Sequence, residues 1–243
     1  SSLSTTIDKN AYYATAMTNT TVGGTPYPGS PDQMSLPLPI SDAQIAEWEG
    51  EAALGGVITS PCPYQISEDA DLGPVKIACD LQISGDPSIT LRGHVWVMGD
   101  ITIQNTAVMR IDPSLGARSI AIIADDPANQ IGKSRITLQN ATRYEGSGTD
   151  PSVVLLLSQN RSAEAGGGTA AIKIQNTAKG DLFLYAGHGK IELQNSANLN
   201  EVTAYRIELQ NSATVVYKTG LANQIFTSGP SGGYTIGEWG EVQ

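Results

Sequence analysis

The 243-residue sequence is poor in the residues on which many enzymes and nucleic-acid-binding proteins depend. It contains two histidines, two cysteines and two phenylalanines, and aromatic residues make up 6% of it. Lys and Arg number 14 against 24 Asp and Glu, which gives a formal net charge of -10. This charge repels the phosphates of nucleic acids and of anionic lipid surfaces, so we expect neither as a partner.

Long apolar stretches are also missing. The longest runs, such as 119–124 and 153–157, fall far short of the roughly 18 apolar residues that a membrane-spanning helix needs. We therefore expect no membrane-spanning segment in this sequence. Because Ser1 is followed by neither a basic nor an apolar leader, we expect any targeting segment to have been removed or to lie outside the sequence.

The two cysteines predict a disulfide bond. Cys62 and Cys79 enclose sixteen residues, and neither a histidine nor a second cysteine pair lies at metal-ligand spacing from them. A disulfide suits an extracellular protein, whereas the alternative is a pair of buried thiols in a reducing compartment.

A short motif recurs five times: an aliphatic residue followed by Gln, Asn and two small residues. The copies begin at Ile103, Leu138, Ile174, Leu193 and Leu209. Their offsets are 35, 36, 19 and 16 residues. The two short offsets match single turns of a β-solenoid. Each long offset is either two turns with the motif missing from one, or one turn with a long loop.

The pattern around these copies predicts the fold. Each copy ends a strand of alternating polarity, which indicates one solvent-facing side. The apolar runs 119–124, 152–157 and 182–186 do not alternate, so we expect strands that are covered on both faces or that face a neighbouring loop. Glycine-rich turns separate the strands. The fold class is therefore all-β, a right-handed parallel β-helix of stacked turns.

One short α-helix is expected before the solenoid. Ser41 and Gln44 form a capping box, Ile45, Trp48 and Ala52 fall on one face, and two glycines follow at 55 and 56. We expect this helix to lie across one end or side of the solenoid. The predicted organisation is a single domain over 1–243: an irregular first coil and linker at 1–40, the helix at 41–54, and the solenoid with a C-terminal cap at 57–243.

Stacking the motif copies on successive turns predicts two rows of side-chain amides. The asparagines are predicted to form a structural ladder, because amides on successive turns lie about 4.8 Å apart and Asn tolerates the left-handed conformation of a tight bend. This ladder comprises Asn105, Asn140, Asn176, Asn195 and Asn211. The glutamines are predicted to face outward, where they either bind a glycan or protein or bond one another. This row comprises Gln104, Gln139, Gln175, Gln194 and Gln210.

Acidic residues supply the candidates for chemistry. Asp125 and Asp126 are the best carboxyl pair for a polysaccharide hydrolase, with Asp112 and Glu145 as partners from other turns. Neighbouring residues of a strand point to opposite faces and Pro127 begins a loop, so we favour solvated turn residues over catalysis.

Calcium is the only cofactor that the sequence suggests. Its candidate ligands are Glu68, Asp69 and Asp71, which lie inside the cysteine loop at tight spacing but lack the glycine and terminal glutamate of a calcium loop. A solvated acidic loop is the favoured alternative.

The sequence resembles the right-handed β-helix domains of bacterial surface proteins related to PilX-type and pilin-like polypeptides. The resemblance rests on segments 39–48, 72–77, 97–101, 111–116, 122–125 and 228–230, with Gly233 and Trp239. It implies a cell-surface location and a β-helix fold. In those proteins the β-helix generally follows an N-terminal membrane segment, and most have no known biochemical activity.

These observations predict an extracellular structural or adhesive module without catalytic activity. Its partners would be further copies stacked end to end, other subunits of a pilus or surface structure, or a glycan. The alternative is a carbohydrate-binding or polysaccharide-degrading β-helix protein.

Overall fold

The computed structural model describes residues 5–31, 38–194, 199, 201–210 and 225–226. The chain divides into two compact units, Ser1–Leu38 and Pro39–Gln243. No helix in the described part of the chain is long and apolar enough to cross a membrane.

The first unit contains four short strands that pair in parallel. They are β1 (Thr5–Ile7), β2 (Ala11–Tyr13), β3 (Thr20–Val22) and β4 (Pro26–Pro28). β1 pairs with β3 and β2 pairs with β4, and both pairs are offset by 15 residues. Like residues therefore meet, with Thr5 opposite Thr20 and Tyr12 opposite Tyr27. The sequence predicted an irregular coil here, and the structure instead has two stacked rungs.

The second unit begins with helix α1 (Asp42–Leu54). The Ser41 side chain accepts a hydrogen bond from the Gln44 backbone N–H, and the Gln44 side chain accepts one from the Ser41 N–H. This reciprocal capping box satisfies two of the backbone donors that a helix start leaves unpaired. Gly55 ends the helix by donating its N–H to carbonyls of the last turn.

Seven turns of parallel strands follow within the described residues. In chain order they are β5 (Val57–Ile58), β6 (Tyr64–Ile66) and β7 (Ala70–Leu72); β8 (Val75–Ile77), β9 (Leu81–Ile83) and β10 (Ser88–Leu91); β11 (Val95–Val97), β12 (Ile101–Ile103) and β13 (Val108–Ile111); β14 (Arg118–Ala124), β15 (Ile136–Leu138) and β16 (Ala141–Glu145); β17 (Val154–Ser158), β18 (Ala170–Ile174) and β19 (Thr177–Gly180); β20 (Leu182–Gln194); and β21 (Glu201–Gln210). A further strand, β22 (Ile225–Phe226), pairs with the start of β14.

The strands form three parallel faces. Sheet 1 stacks β5, β8, β11, β14, β17 and the first half of β20. Sheet 2 stacks β6, β9, β12, β15, β18 and the second half of β20, while β21 pairs along both halves. Sheet 3 stacks β7, β10, β13, β16 and β19. This arrangement is a parallel β-helix, so the fold predicted from the sequence is confirmed.

The long offsets between motif copies are single turns that carry loops. Ile101 lies directly opposite Ile136, and Ile136 lies directly opposite Ile172. The extra residues lie outside the strands, at 125–135, 146–153 and 159–169. Loops of this kind leave the stacking register intact, because each strand still pairs with its counterpart one turn away.

Two apolar clusters hold the second unit together. The inner cluster fills the solenoid with alternate residues of all three sheets, such as Ile77, Ile103 and Ile111. The outer cluster lies between α1 and the outer side of sheet 1, where Ile45 and Trp48 are buried with strand residues. The strand residues are Ala121, Ile123, Leu155, Leu157, Phe183 and Tyr185, and Val153 joins them from the position just before β17. Sheet 1 is therefore covered on both faces, as its unbroken apolar runs predict.

A disulfide bond joins Cys62 to Cys79, with 5.9 Å between the two Cα atoms. Cys62 lies in the turn between β5 and β6, and Cys79 lies in the equivalent turn between β8 and β9. The bond therefore links the first two turns of the solenoid at the same corner.

Candidate functional site beneath the helix

The asparagines of the motif form a ladder along one corner of the solenoid. Asn105 and Asn140 have φ angles of 63° and 67°, in the left-handed region that Asn tolerates. Asn140 Nδ2 donates to Asn105 Oδ1 at 3.1 Å, and Asn176 Nδ2 donates to Asn140 Oδ1 at 3.4 Å. All three side chains are exposed. Asn195 and Asn211 lie outside the described residues.

The glutamines of the motif are half-buried at the same corner. Gln104, Gln139 and Gln175 donate their backbone N–H groups to carbonyls of the preceding turn. Gln194 Nε2 donates to Gln210 Oε1 at 3.0 Å, so at this step of the row the stacked amides bond one another.

Asp125 lies where β14 ends, on the outer side of sheet 1, and it is buried. Its Oδ1 atom accepts a hydrogen bond from Gln130 Nε2 at 2.8 Å, and its backbone carbonyl accepts one from Trp96 Nε1 at 2.9 Å. Asp126 instead starts the following loop, where its Oδ1 atom accepts the N–H of Ala128. The two aspartates therefore have different environments and do not form a pair.

The partner of Asp125 is Glu49, in the middle of α1. Their carboxyl groups lie close enough for each to alter the pKa of the other. Glu49 is 8% exposed and Asp125 is 4% exposed. Burial, with the neighbouring charge of Asp125, raises the pKa of Glu49 to about 8. Burial also raises the pKa of Asp125, although the hydrogen bond from Gln130 and the contact with Glu49 oppose this shift.

Further polar and aromatic groups surround this acid pair. Lys76 Nζ lies 3.8 Å from the ring centroid of Trp96, in a cation–π contact. The ring of Trp48 stacks on His94 with 5.5 Å between centroids. His94 Nδ1 accepts the backbone N–H of Ala121 at 2.9 Å. This buried histidine therefore contacts both Trp48 of α1 and the backbone of β14.

The geometry of the pair does not suit glycoside hydrolysis. Glycosidases place two carboxyl groups about 5 to 9.5 Å apart on either side of an accessible bond. Glu49 and Asp125 are both buried between α1 and sheet 1, where no accessible bond lies between them. The other predicted partners point elsewhere, since Asp112 caps a short helix at 113–115 and Glu145 pairs with Arg110 and Arg143.

A second charged cluster lies at the start of α1. His188 Nε2 is 3.0 Å from Asp42 Oδ1, and His188 Nδ1 is 3.0 Å from Glu164 Oε2. Arg161 bonds the same two carboxylates, at 3.0 Å to Asp42 and 3.3 Å to Glu164. Burial acts to raise the pKa of Asp42, but the contacts with His188 and Arg161 outweigh it and lower that pKa.

An open groove of about 430 Å³ lies beside this cluster. Loop residues 127–131 line it together with Arg161, Glu164 and Ala165. Arg161 Nε donates to Gln130 Oε1 at 2.9 Å, so the groove wall joins the second cluster to the acid pair.

The acidic residues suggested for calcium do not come together. Asp69 Oδ1 accepts the backbone N–H of Ser88, Asp71 pairs with Arg92 at 2.9 Å, and Glu68 is exposed. Among the residues that the structure describes, no group of three or more His, Cys, Asp or Glu side chains could hold a metal ion.

Glu49 and His188 are among the site residues that were not predicted from the sequence. Glu49 follows Ile45 by four residues and precedes Ala52 by three, so it lies on the apolar stripe of the helix. A carboxylate on a buried stripe is rare unless it has a partner, and this was the available signal.

Comparison of the chain with protein-family models, with curated protein sequences and with solved structures finds no match.

Proposed function

We propose that this chain is an extracellular structural or adhesive module of a bacterial surface or pilus-like protein, without catalytic activity. The observation that carries the proposal is that successive turns of the solenoid are joined outside the core by side chains on several faces. A stack whose turns contact only their neighbours gains lengthwise rigidity from each such link.

The links between turns include amide pairs, a disulfide and ion pairs. Amide pairs join Asn105, Asn140 and Asn176, and a disulfide joins the first two turns. Ion pairs join Asp71 to Arg92, Arg92 to Asp112, Asp80 to Lys133, Asp100 to Arg135, Arg110 to Glu145, and Lys173 to Glu192.

The disulfide also supports the extracellular location, because structural disulfides persist in oxidising compartments. The resemblance to bacterial surface β-helix domains supports the same location. The burial of Glu49 and Asp125 supports a role without catalysis.

The proposal is tested by coating beads with the oxidised chain and measuring two outputs on a panel of surface polysaccharides. Retention of the beads under flow is the adhesive output, and release of reducing sugar is the catalytic output. We expect retention without sugar release. Sugar release that disappears in Asp125→Asn would instead establish a hydrolase.

Carbohydrate binding by the first unit is a second candidate, favoured by one observation. Tyr12 and Tyr27 are 64% and 40% exposed, and their rings stack with 4.5 Å between centroids and 5° between planes. Such a column presents an aromatic surface with hydroxyl groups, which suits contact with a sugar ring. Tyr12→Ala should then abolish retention on the polysaccharide panel, while Tyr205→Ala, at another exposed tyrosine, should not.

End-to-end assembly of copies belongs to the same proposal. Within the described residues, β5, β6 and β7 pair with a neighbouring strand on one side only. A head-to-tail contact at such an edge would generate a filament. Light scattering across a concentration series tests this, and a monomer at every concentration would contradict it.

A further inference from the structure

We propose that a second copy of this chain docks on the exposed edge of β21 and continues the solenoid in register, with its β6 as the next strand of sheet 2. This inference rests on the end-to-end assembly in the proposed function, and it adds which two faces meet and how they align. Both faces belong to the second unit, at its first turn and at its last described turn.

The last described turn presents core residues to solvent. Ile207 and Leu209 of β21 are 46% and 55% exposed. They lie opposite Ile191 and Leu193 of β20, which are completely buried in the inner cluster. Residues in register on parallel strands point to the same face of a sheet, so Ile207 and Leu209 occupy interior positions. Among the described residues, no further turn covers them.

The backbone of β21 also has an open edge. Within the described part of the chain, β21 pairs with β20 and with no other strand. The next described strand, β22, pairs with the start of β14, three turns earlier in the stack. A long edge strand with exposed aliphatic side chains is a template for a further strand. This edge therefore offers both hydrogen-bonding groups and apolar surface to a partner.

The first turn of the solenoid carries the matching strand. β6 pairs with β9 on one side and, within the described residues, with no strand on the other. Its Tyr64 and Ile66 pack on the inner cluster, and Gln65 between them is exposed. β6 belongs to the same sheet as the second half of β21, and all of its strands run parallel. A second copy placed one turn beyond β21 therefore brings its β6 to this edge in the required direction.

The two interior rows of sheet 2 define the alignment. One row begins at Tyr64 and ends at Ile207, and the other begins at Ile66 and ends at Leu209. From β9 to β20, every member of both rows is at most 1% exposed. Repeating the same register once more places Tyr64 and Ile66 of the second copy over Ile207 and Leu209. The contact then covers both exposed aliphatic residues.

The outer row between these two supports the same register. It begins at Gln65 and ends at Glu208. Gln65 Nε2 donates to Gln82 Oε1 at 3.3 Å, and an amide nitrogen has a second hydrogen to donate. Glu208 accepts from Lys190 Nζ at 2.8 Å, and a carboxylate has further lone pairs. In register, Gln65 of the second copy lies over Glu208 and donates to it.

A shift of one residue would remove both advantages. Because side chains alternate between the two faces of a strand, such a shift turns the aliphatic residues of the second copy outward. It also places Gln65 of that copy over Ile207 or Leu209, where its amide would be buried against an apolar side chain. The contact joins two different faces of the chain, so each added copy leaves the same pair of faces available and a filament grows.

Register-specific disulfide cross-linking tests the contact in the full chain. One preparation carries Gln65→Cys, a second and tagged preparation carries Glu208→Cys, and the two are mixed under mild oxidation. In-register residues of neighbouring strands lie about 4.8 Å apart, a Cα separation that a disulfide can bridge. Peptide mapping verifies that the bond between Cys62 and Cys79 remains intact.

Arg206→Cys replaces Glu208→Cys in the matched control. Arg206 is exposed on the same face of β21 but is two residues away, which places it about 8 Å from Gln65 of the docked copy, too far for a disulfide. We expect the matched pair to form covalent dimers at least about tenfold faster than the control pair. Equal rates for the two pairs would overturn the register.

A charge in the apolar contact provides a second test. Leu209→Arg should slow cross-linking of the matched pair about tenfold or more, because docking would bury an unpaired guanidinium. Ala141→Arg introduces the same charge at an exposed position of β16, midway along the stack, and should leave cross-linking unchanged. Circular dichroism verifies that both variants are folded. Equal slowing by the two variants, or by neither, would overturn the contact.

Two measurements separate this inference from the proposal on which it rests. Light scattering reports assembly in any register, whereas cross-linking reports the register described here. Growth of assemblies with equal cross-linking of the matched and control pairs would overturn the register alone. Monomers at every concentration, without cross-linking, would overturn both the register and end-to-end assembly, while retention of beads coated with such monomers would still support the adhesive role.

Discussion

The two parallel stacks of this chain, at 5–28 and 57–210, use the same strand pairing but differ in what they bury. In both, strands pair in register with their counterparts one turn away. The larger stack fills its interior with aliphatic residues, whereas Ala11 is the one buried apolar residue among the described positions of the smaller stack. Repetition of the sequence is therefore enough to set the register of strand pairing. A buried core forms only where the strands of each turn enclose an interior.

The free edges of the two stacks also differ. Ala11 donates its N–H to Thr25, so alternate positions of β4 face β2, and Pro26 and Pro28 fall on the opposite edge. Proline has no N–H and blocks further pairing. The free edge of β4 is therefore blocked to further strand pairing.

The largest expected difference between the stacks is in the cost of truncating an aliphatic side chain. Ile103→Ala should lower the free energy of unfolding by about 2 to 5 kcal/mol, because Ile103 is fully buried. Val22→Ala should cost under about 1 kcal/mol, because Val22 is only half-buried. Urea denaturation followed by circular dichroism measures both, and equal losses would contradict the comparison.

Removal of the disulfide should follow in size. Cys62→Ser combined with Cys79→Ser should cost about 3 kcal/mol, because the bond closes a short loop at the first two turns. Reduction of the wild-type protein should lower its denaturation midpoint by the same amount. An unchanged midpoint after reduction, verified by thiol titration, would show that the first turns do not depend on this link.

The asparagine ladder should give a smaller effect that depends on backbone conformation. Asn140→Ala places a Cβ at a φ of 67° and should cost about 1 to 2 kcal/mol, while Asn140→Gly should recover part of that loss. In the smaller stack, Asn10→Ala removes only the bond from the Thr25 N–H, worth about 1 kcal/mol. Equal losses for alanine and glycine at 140 would assign the cost to the amide bond alone.

The exterior ion pairs should give the smallest effect. Arg110→Ala should cost under about 1 kcal/mol, because the pair with Glu145 is solvent-exposed and screened by salt. Ion pairs of this kind would then stiffen the solenoid through their number and not through the strength of any one pair. Thermal unfolding at low and high salt measures this, and a loss that persists at high salt would indicate packing rather than charge.

Much of the larger stack could be predicted from residues 101–194. The alternation in β12, β15 and β18 fixes which side chains face inward, and the shared Gln-Asn motif aligns the turns. The helix could be predicted from its capping box and apolar stripe. The smaller stack could not, because its 15-residue repeat consists of threonine and tyrosine positions without apolar alternation.

Only one of the two buried carboxyl residues at the helix could be identified as a candidate from the sequence. Asp125 stood out as a carboxylate after a buried strand, but its expected neighbour Asp126 turns into a loop. Its actual neighbour, Glu49, lies 76 residues earlier in the chain. Which carboxylates meet depends on the side of the solenoid against which the helix packs, and no local pattern specifies that side.

The sequence by itself therefore determined the helix and the motif-bearing strands of the larger stack, because each depends on spacing within one or two turns. Only the tertiary structure decided that Asp42 meets His188, 146 residues away, and that Glu49 meets Asp125. The physical reason is that these contacts form where two separately specified elements pack, and burial there changes the chemistry of the groups that meet.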